Sequence, residues 1–252
     1  MPETMETLRA LRTVHGGFSE VRIPPDDLRS ILDTCVLAAN ASNRQSYSII
    51  VVDDLEVQKE LTGYAGSATL VFCVDFNRIN DVAQHLGHSY TVQGFRAFVT
   101  GMIDVGLAAQ TAAVAARSLG IDSLFTNGLH RGDLARIYSN LDLPNTYCFP
   151  AIALVLGYPK AEPDVKRGRL SGPGVIHLGR YRRLSAEEID RLVAQYDDAS
   201  NRLDLGVPWR EEGFPHFLDW FYQVWSNPEQ RPAGAGKLFD AFVPTRFTDE
   251  GL

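Results

Sequence analysis

The chain has 252 residues, of which 45% are hydrophobic and 22% are charged, and its formal net charge at pH 7 is −7. These values are typical of a globular protein that is large enough to bury a core. The acidic balance argues against nucleic acid or an anionic membrane as the main partner. The 3 cysteines are isolated and form no C-x-x-C motif, which favours buried, reduced thiols. The polar first residues do not resemble a signal peptide, so we expect a cytoplasmic protein.

Four segments in the first third of the chain have regular hydrophobic patterns. A short helix is predicted around residues 5–11. A second helix is predicted over 24–39, where apolar residues recur at helical spacing after two prolines and two acidic residues. Continuous apolar runs at 47–53 and 69–76 predict two strands, each covered on both faces.

The segment from 92 to 119 is apolar nearly all round and rich in alanine and glycine. This composition predicts a long helix in the core of the domain or at a subunit interface, where small residues let another helix approach closely. Asp104, Gln110 and Arg117 interrupt the apolar sequence. We therefore do not expect this helix to span a bilayer.

The rest of the chain combines two further strands with three helices. Strands are predicted at 123–126 and 150–158, and helices at 132–144, 184–198 and 214–225. Ser185 and Glu188 have the spacing of a capping box. The irregular alternation of elements predicts an α+β or mixed-sheet fold with helices on both faces. We expect one domain over 1–226 and an arm with little structure over the Pro- and Gly-rich residues 227–252.

Familiar catalytic and nucleotide-binding motifs are absent or incomplete. Residues 172–179 begin as G-x-G but carry His177 where a third glycine is needed, so a surface turn is the better interpretation. His85 and His88 are spaced for one face of a helix, but no third ligand follows and no metal site is predicted. No serine or cysteine lies in a known nucleophile motif, so acyl transfer has no support.

Four polar clusters remain, and each also has an ordinary structural interpretation. Residues 40–45 place amide side chains between a predicted helix and a predicted strand, which indicates a polar ligand. Residues 11–18 carry an arginine, a hydroxyl residue and two glycines, and residues 166–169 carry three cations. Both suit a phosphate, although charged loops are usually only solvated. Residues 126–128 end a predicted strand with Asn and Gly, whose backbone N–H groups can face a ligand.

In chain order these clusters resemble the FMN-dependent nitroreductase family. The matching sequences are LRTVH at 11–15, NASNRQ at 40–45, DVGLAAQ at 104–110, LGYP at 156–159 and RGR at 167–169. The segment VFCVDFNR at 71–78 is most similar to the larger NADPH-nitroreductase and NADPH-flavin reductase subgroup. The resemblance covers roughly residues 8–200 and implies an α+β fold with a mixed sheet flanked by helices. It also implies a homodimer with the long small-residue helix at its interface.

The resemblance implies FMN as the cofactor and assigns candidate ligands to each part of it. The phosphate is matched by Arg12, Thr13, His15, Arg167 and Arg169, and the ribityl chain and ring edge by Asn40, Asn43 and Gln45. Backbone N–H groups at Asn127 and Gly128 are implied to face the flavin N5, and Arg202 is implied to bind the 2′-phosphate of NADPH. Leu11 and His15 stand where the family has more basic residues. The phosphate therefore loses positive charge, and weaker FMN binding is expected.

The implied activity is that of an FMN-dependent NAD(P)H oxidoreductase. NADPH or NADH would pass a hydride to the flavin and leave, and a nitroaromatic, a quinone or a free flavin would then be reduced in its place. No side chain is nominated as a general acid. Two alternatives stay open. One is a family member with another reaction, such as dehydrogenation, dehalogenation or a ferredoxin- or deazaflavin-linked step, and the other is an FMN-binding module without turnover.

Overall fold

The computed structural model describes residues 2–163, 166–227, 229 and 234–248. The chain divides into two units, one made of Met1–Glu162 with Gly234–Leu252 and the other of Pro163–Ala233. This division differs from the single domain predicted over 1–226.

Helices and strands are found at all the positions predicted from the sequence. The described helices are α1 (Glu3–Ala10), α2 (Pro25–Cys35), α3 (Leu55–Thr62), α4 (Asn77–His85), α5 (Gly94–Ser118), α6 (Leu134–Asn140), α7 (Ala186–Asp197), α8 (Phe217–Trp220) and α9 (Gly234–Phe242). The strands are β1 (Tyr47–Val52), β2 (Ala68–Asp75), β3 (Asp122–Thr126) and β4 (Cys148–Gly157). α7 and α8 belong to the second unit, and α8 continues as a π-helical turn over Phe221–Trp225.

The sheet has the strand order β1-β2-β4-β3. Its strand pairs are all antiparallel, so the α+β fold is confirmed, but the described sheet is antiparallel rather than mixed. β2 and β4 are central and almost wholly buried. β1 is an edge strand whose middle residues are partly exposed. The prediction that β1 is covered on both faces is therefore wrong, because a continuous apolar sequence does not distinguish an edge strand from a central one.

α5 packs across the sheet and contacts all four strands. Its buried residues are mostly alanine and glycine, so the helix axis lies close to the strands. By length and composition alone α5 is apolar enough to cross a membrane, with a mean hydropathy of 1.4 over its most apolar stretch. However, 44% of that stretch is buried inside the protein, and the core helix of a globular protein passes the same test.

α3 and α4 are not among the helices predicted from the sequence. α3 has capping signals at both ends, since the Asp54 carboxylate accepts the N–H groups of Glu56 and Val57, and Gly63 ends the helix with φ of 79°. α4 has apolar residues at helical spacing but no buried residue, since Val82 and the adjoining Leu86 are both exposed. His85 lies in the last turn of α4. Among the described residues, no group of three or more His, Cys, Asp or Glu side chains is placed to hold a metal ion.

The C-terminal segment predicted as an arm contains α9 and contributes to the core. Phe242 and Phe247 are 9% and 0% exposed, and both rings contact Phe98 on α5. These aromatic rings give the segment apolar surface to bury, which its many Pro and Gly residues conceal in the sequence. Residues 228, 230–233 and 249–252 of the predicted arm lie outside the described residues.

The second unit has an aromatic core of its own. Trp209, Phe217 and Trp220 are buried together, and this separate cluster explains why this part of the chain forms its own unit. α7 begins with the predicted capping box, in which the side chains of Ser185 and Glu188 each accept the other residue's backbone N–H.

Gly66 lies where the chain enters β2 and passes close to β4. A Cβ at this position would lie 2.4 Å from the Leu156 carbonyl oxygen and 2.9 Å from Val155 Cγ1. We therefore expect Gly66→Ala to lower the free energy of unfolding by about 1–3 kcal/mol, because the central strand β4 cannot move aside. Gly132→Ala is the matched control, since a Cβ there meets nothing within 4 Å, and its effect should stay within about 0.5 kcal/mol. Urea unfolding measures both; wild-type stability in Gly66→Ala would contradict this packing.

Candidate functional site

The polar cluster at residues 11–18, here called the N-terminal cluster, lies along the outer side of β3. Thr13 forms a parallel bridge with Ser123, and the Val14 N–H donates to the Ser123 carbonyl oxygen at 3.1 Å. The Val14 side chain is buried, whereas Thr13 and His15 on either side of it are exposed. This alternation holds the backbone on the core and leaves the Thr13 hydroxyl and the His15 ring available to a ligand.

Arg12 is held by two carboxylates. Its Nε and Nη2 atoms donate to the two oxygens of Asp122 at 3.0 and 2.7 Å, and its Nη1 donates to Glu162 at 2.5 Å. Asp122 is 2% exposed and also accepts a hydrogen bond from Arg117 at 2.8 Å. The hydrogen bonds to Asp122 and then to Glu162 raise the pKa of Arg12, and Arg12 in turn lowers the pKa of Glu162. The role of Arg12 as a phosphate ligand stays a prediction, and a phosphate would have to compete with these carboxylates.

The amide-rich junction between α2 and β1 is a tight loop with an unusual backbone. Ser42, Asn43 and Gln45 have φ angles of 56°, 54° and 50°, a left-handed conformation that non-glycine residues rarely adopt. The Asn40 side chain accepts the Gln45 N–H at 3.0 Å and so stabilises the turn. Asn43 is exposed, and Asn40 and Gln45 are half-buried. The loop therefore presents amide groups at the surface in a fixed geometry.

A buried carboxylate on α5 holds this junction loop. Asp104 is 1% exposed and accepts the Ala41 N–H at 2.9 Å and the Ser46 N–H at 3.3 Å. Asp104 is the single acidic residue within α5, and a lone acid in such an apolar helix is a signal that sequence reasoning can use. The pairing of Asp122 with Arg12 leaves no comparable signal, because the two residues are far apart in the sequence.

The turn at Asn127 and Gly128 follows β3 and packs against the end of α3. A Cβ on Gly128 would lie 2.4 Å from the Thr62 carbonyl oxygen, so only glycine fits there. The Gly128 N–H donates to Thr126 Oγ1 at 3.0 Å, while Asn127 is exposed. A cavity of about 520 Å³ opens beside this turn, with Thr62 and Arg131 in its wall. Because the Gly128 N–H is engaged within the turn, its role toward a flavin stays a prediction.

The remaining candidates, Arg167, Arg169 and Arg202, lie in the second unit. The Gly168 N–H donates to the Arg202 carbonyl oxygen at 3.0 Å, so the two predicted segments lie side by side. Arg167 donates to the Asp204 carbonyl oxygen, which fixes the position of its guanidinium. The structure thus brings these candidates together within one unit, and their roles as ligands stay predictions.

The N-terminal cluster and the junction loop lie at opposite ends of the sheet. Thr13 bridges Ser123 on β3, and the register of β3, β4, β2 and β1 places Ser123 level with the end of β1. Gln45, in contrast, precedes the start of β1. With about 3.4 Å per residue along β1 and about 4.8 Å between strands, Thr13 and Gln45 are roughly 30 Å apart. Asp104 and Arg117, which hold the two regions, are about 20 Å apart along α5. One mononucleotide does not span this separation.

An antiparallel sheet crossed by a long alanine-rich helix, with one polar loop held at the middle of that helix and another near its C-terminal end, defines an α+β protein with a candidate cofactor site. The model of the nitroreductase family matches residues 9–158, which is more than half of the chain. The chain therefore belongs to the nitroreductase family, as the sequence motifs predict.

Two curated relatives and a solved structure are similar to most of the chain. The chain is 29% identical over 209 residues to the FMN reductase (NAD(P)H) of Bacillus subtilis (strain 168), covering 79% of this chain and 81% of that protein. It is 29% identical over 224 residues to the NADPH-flavin oxidoreductase of Vibrio harveyi, covering 84% and 90%. A crystal structure from Bacteroides fragilis NCTC 9343 has a TM-score of 0.83 and 25% identity, covering 97% of this chain and 100% of that chain.

Because Asp122 pairs with Arg12, we expect the replacement of Asp122 to lower the stability of the protein markedly. Asp122→Asn leaves two arginines beside a buried neutral group, so we expect the free energy of unfolding to fall by about 2–4 kcal/mol. This expected loss is smaller than the loss from breaking a fully buried ion pair, because the side chains of Arg12 and Arg117 are still 18% and 23% exposed. Glu162→Gln is the control, since its side chain is 80% exposed and should contribute far less. Equal losses in denaturant unfolding would contradict the central role of Asp122.

Proposed function

We propose that this protein is an FMN-dependent NAD(P)H oxidoreductase that reduces small acceptors: nitroaromatics, quinones or free flavins. Its relatives in Bacillus subtilis and Vibrio harveyi are named as flavin reductases that use NAD(P)H or NADPH. The observation that carries the proposal is the junction loop, whose amide side chains are held at the surface by a buried carboxylate and a left-handed backbone. A plain connection between α2 and β1 needs neither feature.

The hydrogen-bond donors and acceptors of the first unit are of the types that FMN needs. Ribityl hydroxyls and the edge of an isoalloxazine ring both donate and accept hydrogen bonds, and the side-chain amides of Asn40, Asn43 and Gln45 do the same. The Thr13 hydroxyl and the His15 ring are exposed and offer hydrogen bonds to a phosphate. FMN, once bound, supplies hydride transfer at its N5. The residues named here would bind it and fix its orientation.

The pyridine nucleotide and the acceptor would use the same face of the site in succession. That face has to be open, and the exposure of Thr13, His15 and Asn43 suits such a site. We assign no general acid, because hydride transfer from a pyridine nucleotide to a flavin needs none.

We further propose that two copies of the chain complete each flavin site. Thr13 and Gln45 are roughly 30 Å apart in one copy, so Thr13 of one copy would meet the junction loop of the other. α5 supports this arrangement with a row of exposed apolar side chains on one face: Phe95, Val99, Met102, Ile103 and Leu107. A Cβ at Gly106 on this face would meet nothing within 4 Å. An apolar stripe of this kind is typical of a helix that packs against a partner, so a homodimer is the proposed active form.

A second candidate function is an FMN-binding module without turnover. The observation that favours it is the weak positive charge near Thr13, because Leu11 is apolar and Arg12 is engaged by carboxylates. Another reaction of the same family, such as dehydrogenation or dehalogenation, is the remaining alternative. Electron transfer from a nicotinamide distinguishes the reductase from both.

A cytoplasmic location and small-molecule partners complete the proposal. The cysteines, Cys35, Cys73 and Cys148, are free and buried, as expected of a protein in a reducing compartment. The net charge of −7 gives no reason to invoke nucleic acid as a partner.

The reductase proposal predicts a colour change that can be followed by absorbance. The protein reconstituted with FMN should be yellow, lose its colour on anaerobic addition of NADPH or NADH, and regain it when a nitroaromatic or a quinone is added. Gln45→Ala should weaken FMN binding by about tenfold, whereas Gln84→Ala, which removes an exposed glutamine on α4, should not. Yellow protein that neither nicotinamide bleaches would favour the module without turnover.

The two-copy site predicts complementation between defective chains. Thr13→Val and the double variant Asn43→Ala/Gln45→Ala should each bind FMN poorly alone, since every site in either homodimer carries a defect. A heterodimer of the two, isolated with two affinity tags, has one site with both defects and one intact site. It should bind FMN at about half of its sites with wild-type affinity. A monomer in gel filtration that still binds FMN, or a heterodimer without any tight site, would contradict the proposal.

A further inference from the structure

Two residues of the family-like motifs are not among the candidate ligands but contact the junction loop. Arg78 ends the segment VFCVDFNR, and Asp104 begins the segment DVGLAAQ. The two residues lie on different helices, α4 and α5. Both contact the junction loop of residues 40–46, and they contact opposite kinds of backbone group.

Asp104 holds the N–H groups of the loop. Its two carboxylate oxygens accept the N–H groups of Ala41 and Ser46, which lie on either side of the amide residues. In the described part of the chain, Asp104 forms no ion pair, although it is 1% exposed. A buried carboxylate without a cation depends on such N–H donors for its stabilisation. The loop cannot open without leaving this charge unsatisfied.

Arg78 holds the carbonyl groups of the loop from the solvent side. Its Nη2 donates to the carbonyl oxygens of Gln45 at 2.5 Å and Arg44 at 3.2 Å. The start of α4 is itself fixed, because Asn77 donates to the Asp75 side chain at 2.9 Å and the Asp75 N–H donates to the Ser46 carbonyl oxygen at 3.1 Å. A cation on the carbonyl side and an anion on the N–H side thus hold the same short loop.

The loop needs this support because its backbone is strained. Ser42, Asn43 and Gln45 all have positive φ and none is glycine, so each occupies a conformation that costs free energy. Left-handed residues of this kind persist where the surroundings determine them and are frequent at ligand sites. The conformation of Asn43 and Gln45 is also what sets the direction of their side-chain amides.

We propose that Asp104 and Arg78 form a two-sided clamp that positions the Asn43 and Gln45 amides for the flavin. They act through the loop and do not touch the ligand, so they are positioning residues. This inference rests on the proposed function, because it assigns the purpose of the clamp to FMN binding. The inference goes beyond that function in one respect: Arg78 and Asp104, which do not touch FMN, set the affinity for it.

Arg78 offers the sharper test because it is exposed, and its replacement leaves the core intact. Arg78→Met should raise the FMN dissociation constant, measured by flavin fluorescence, by about tenfold, the factor carried by one charge-assisted hydrogen bond. The unfolding midpoint of the apoprotein should stay within about 2 °C of wild type. Arg78→Lys keeps a cationic donor and should restore part of the affinity. Arg29→Met, at an exposed arginine on α2, is the matched control and should bind FMN as the wild type does.

Asp104→Asn tests the buried side of the clamp. The asparagine keeps the size of the side chain but turns an NH₂ group toward one of the two N–H donors, so FMN affinity should fall further than in Arg78→Met. Amide hydrogen exchange of the apoprotein supplies a readout without FMN, and Ala41 and Ser46 should lose protection in both variants. Wild-type FMN affinity and wild-type exchange in both variants would overturn the inference and leave the proposed function standing. A wild-type protein that binds no FMN would overturn the proposed function and, with it, the positioning role.

Discussion

Two buried carboxylates, one at the middle of α5 and one at the start of β3, tie the polar loops of this protein to its core. Asp104 accepts N–H groups from the junction loop, and Asp122 accepts hydrogen bonds from Arg12 and Arg117. Burying a carboxylate is costly unless it is hydrogen-bonded or paired, so each loop keeps its conformation as long as the fold persists. The candidate ligands themselves are mostly exposed. In the junction loop and around Arg12, the positions of these ligands therefore depend on the two carboxylates more than on their own packing.

The geometry of the sheet decides how these loops can be used. Because every described strand pair is antiparallel and β1 and β3 are the outer strands, the junction loop and the N-terminal cluster lie at opposite corners. The candidate ligands of a single copy therefore fall into two separate groups. In the proposed homodimer, the exposed apolar face of α5 would be the surface through which each copy completes the site of the other, as twofold symmetry requires.

The charge near the N-terminal cluster is lower than its sequence indicates. Arg12 is the cation of that segment, yet its guanidinium is shared between Asp122 and Glu162. A sequence motif records that an arginine is present but not which partner occupies it. The same limit applies to Gly128, whose N–H is donated to Thr126 within its own turn. Arg12 and Gly128 both fit the family pattern, and each already donates its hydrogen bonds to another group of the protein.

Prediction from the sequence succeeded where a local pattern reflects a local cause. The apolar stripe of α2, the buried runs of β2 and β4 and the capping box of α7 each arise from neighbouring residues. The sequence analysis does not predict α4, although Ile79 and Val82 recur on one of its faces, and this helix buries no residue. The core role of Phe242 and Phe247 depends on contacts with α5, a hundred or more residues earlier, and the local Pro- and Gly-rich composition conceals it.

The amino-acid sequence alone determined the fold class, the family and the order of the polar clusters, because hydrophobic periodicity and short motifs are properties of adjacent residues. Only the tertiary structure decided that Asp104 and Arg78 hold the junction loop from two sides. It also decided that Arg12 is engaged by carboxylates and that the two groups of candidate ligands lie apart. These contacts join residues that are far apart in the sequence and form only when the sheet and α5 pack together. No local sequence pattern shows which of these residues come into contact.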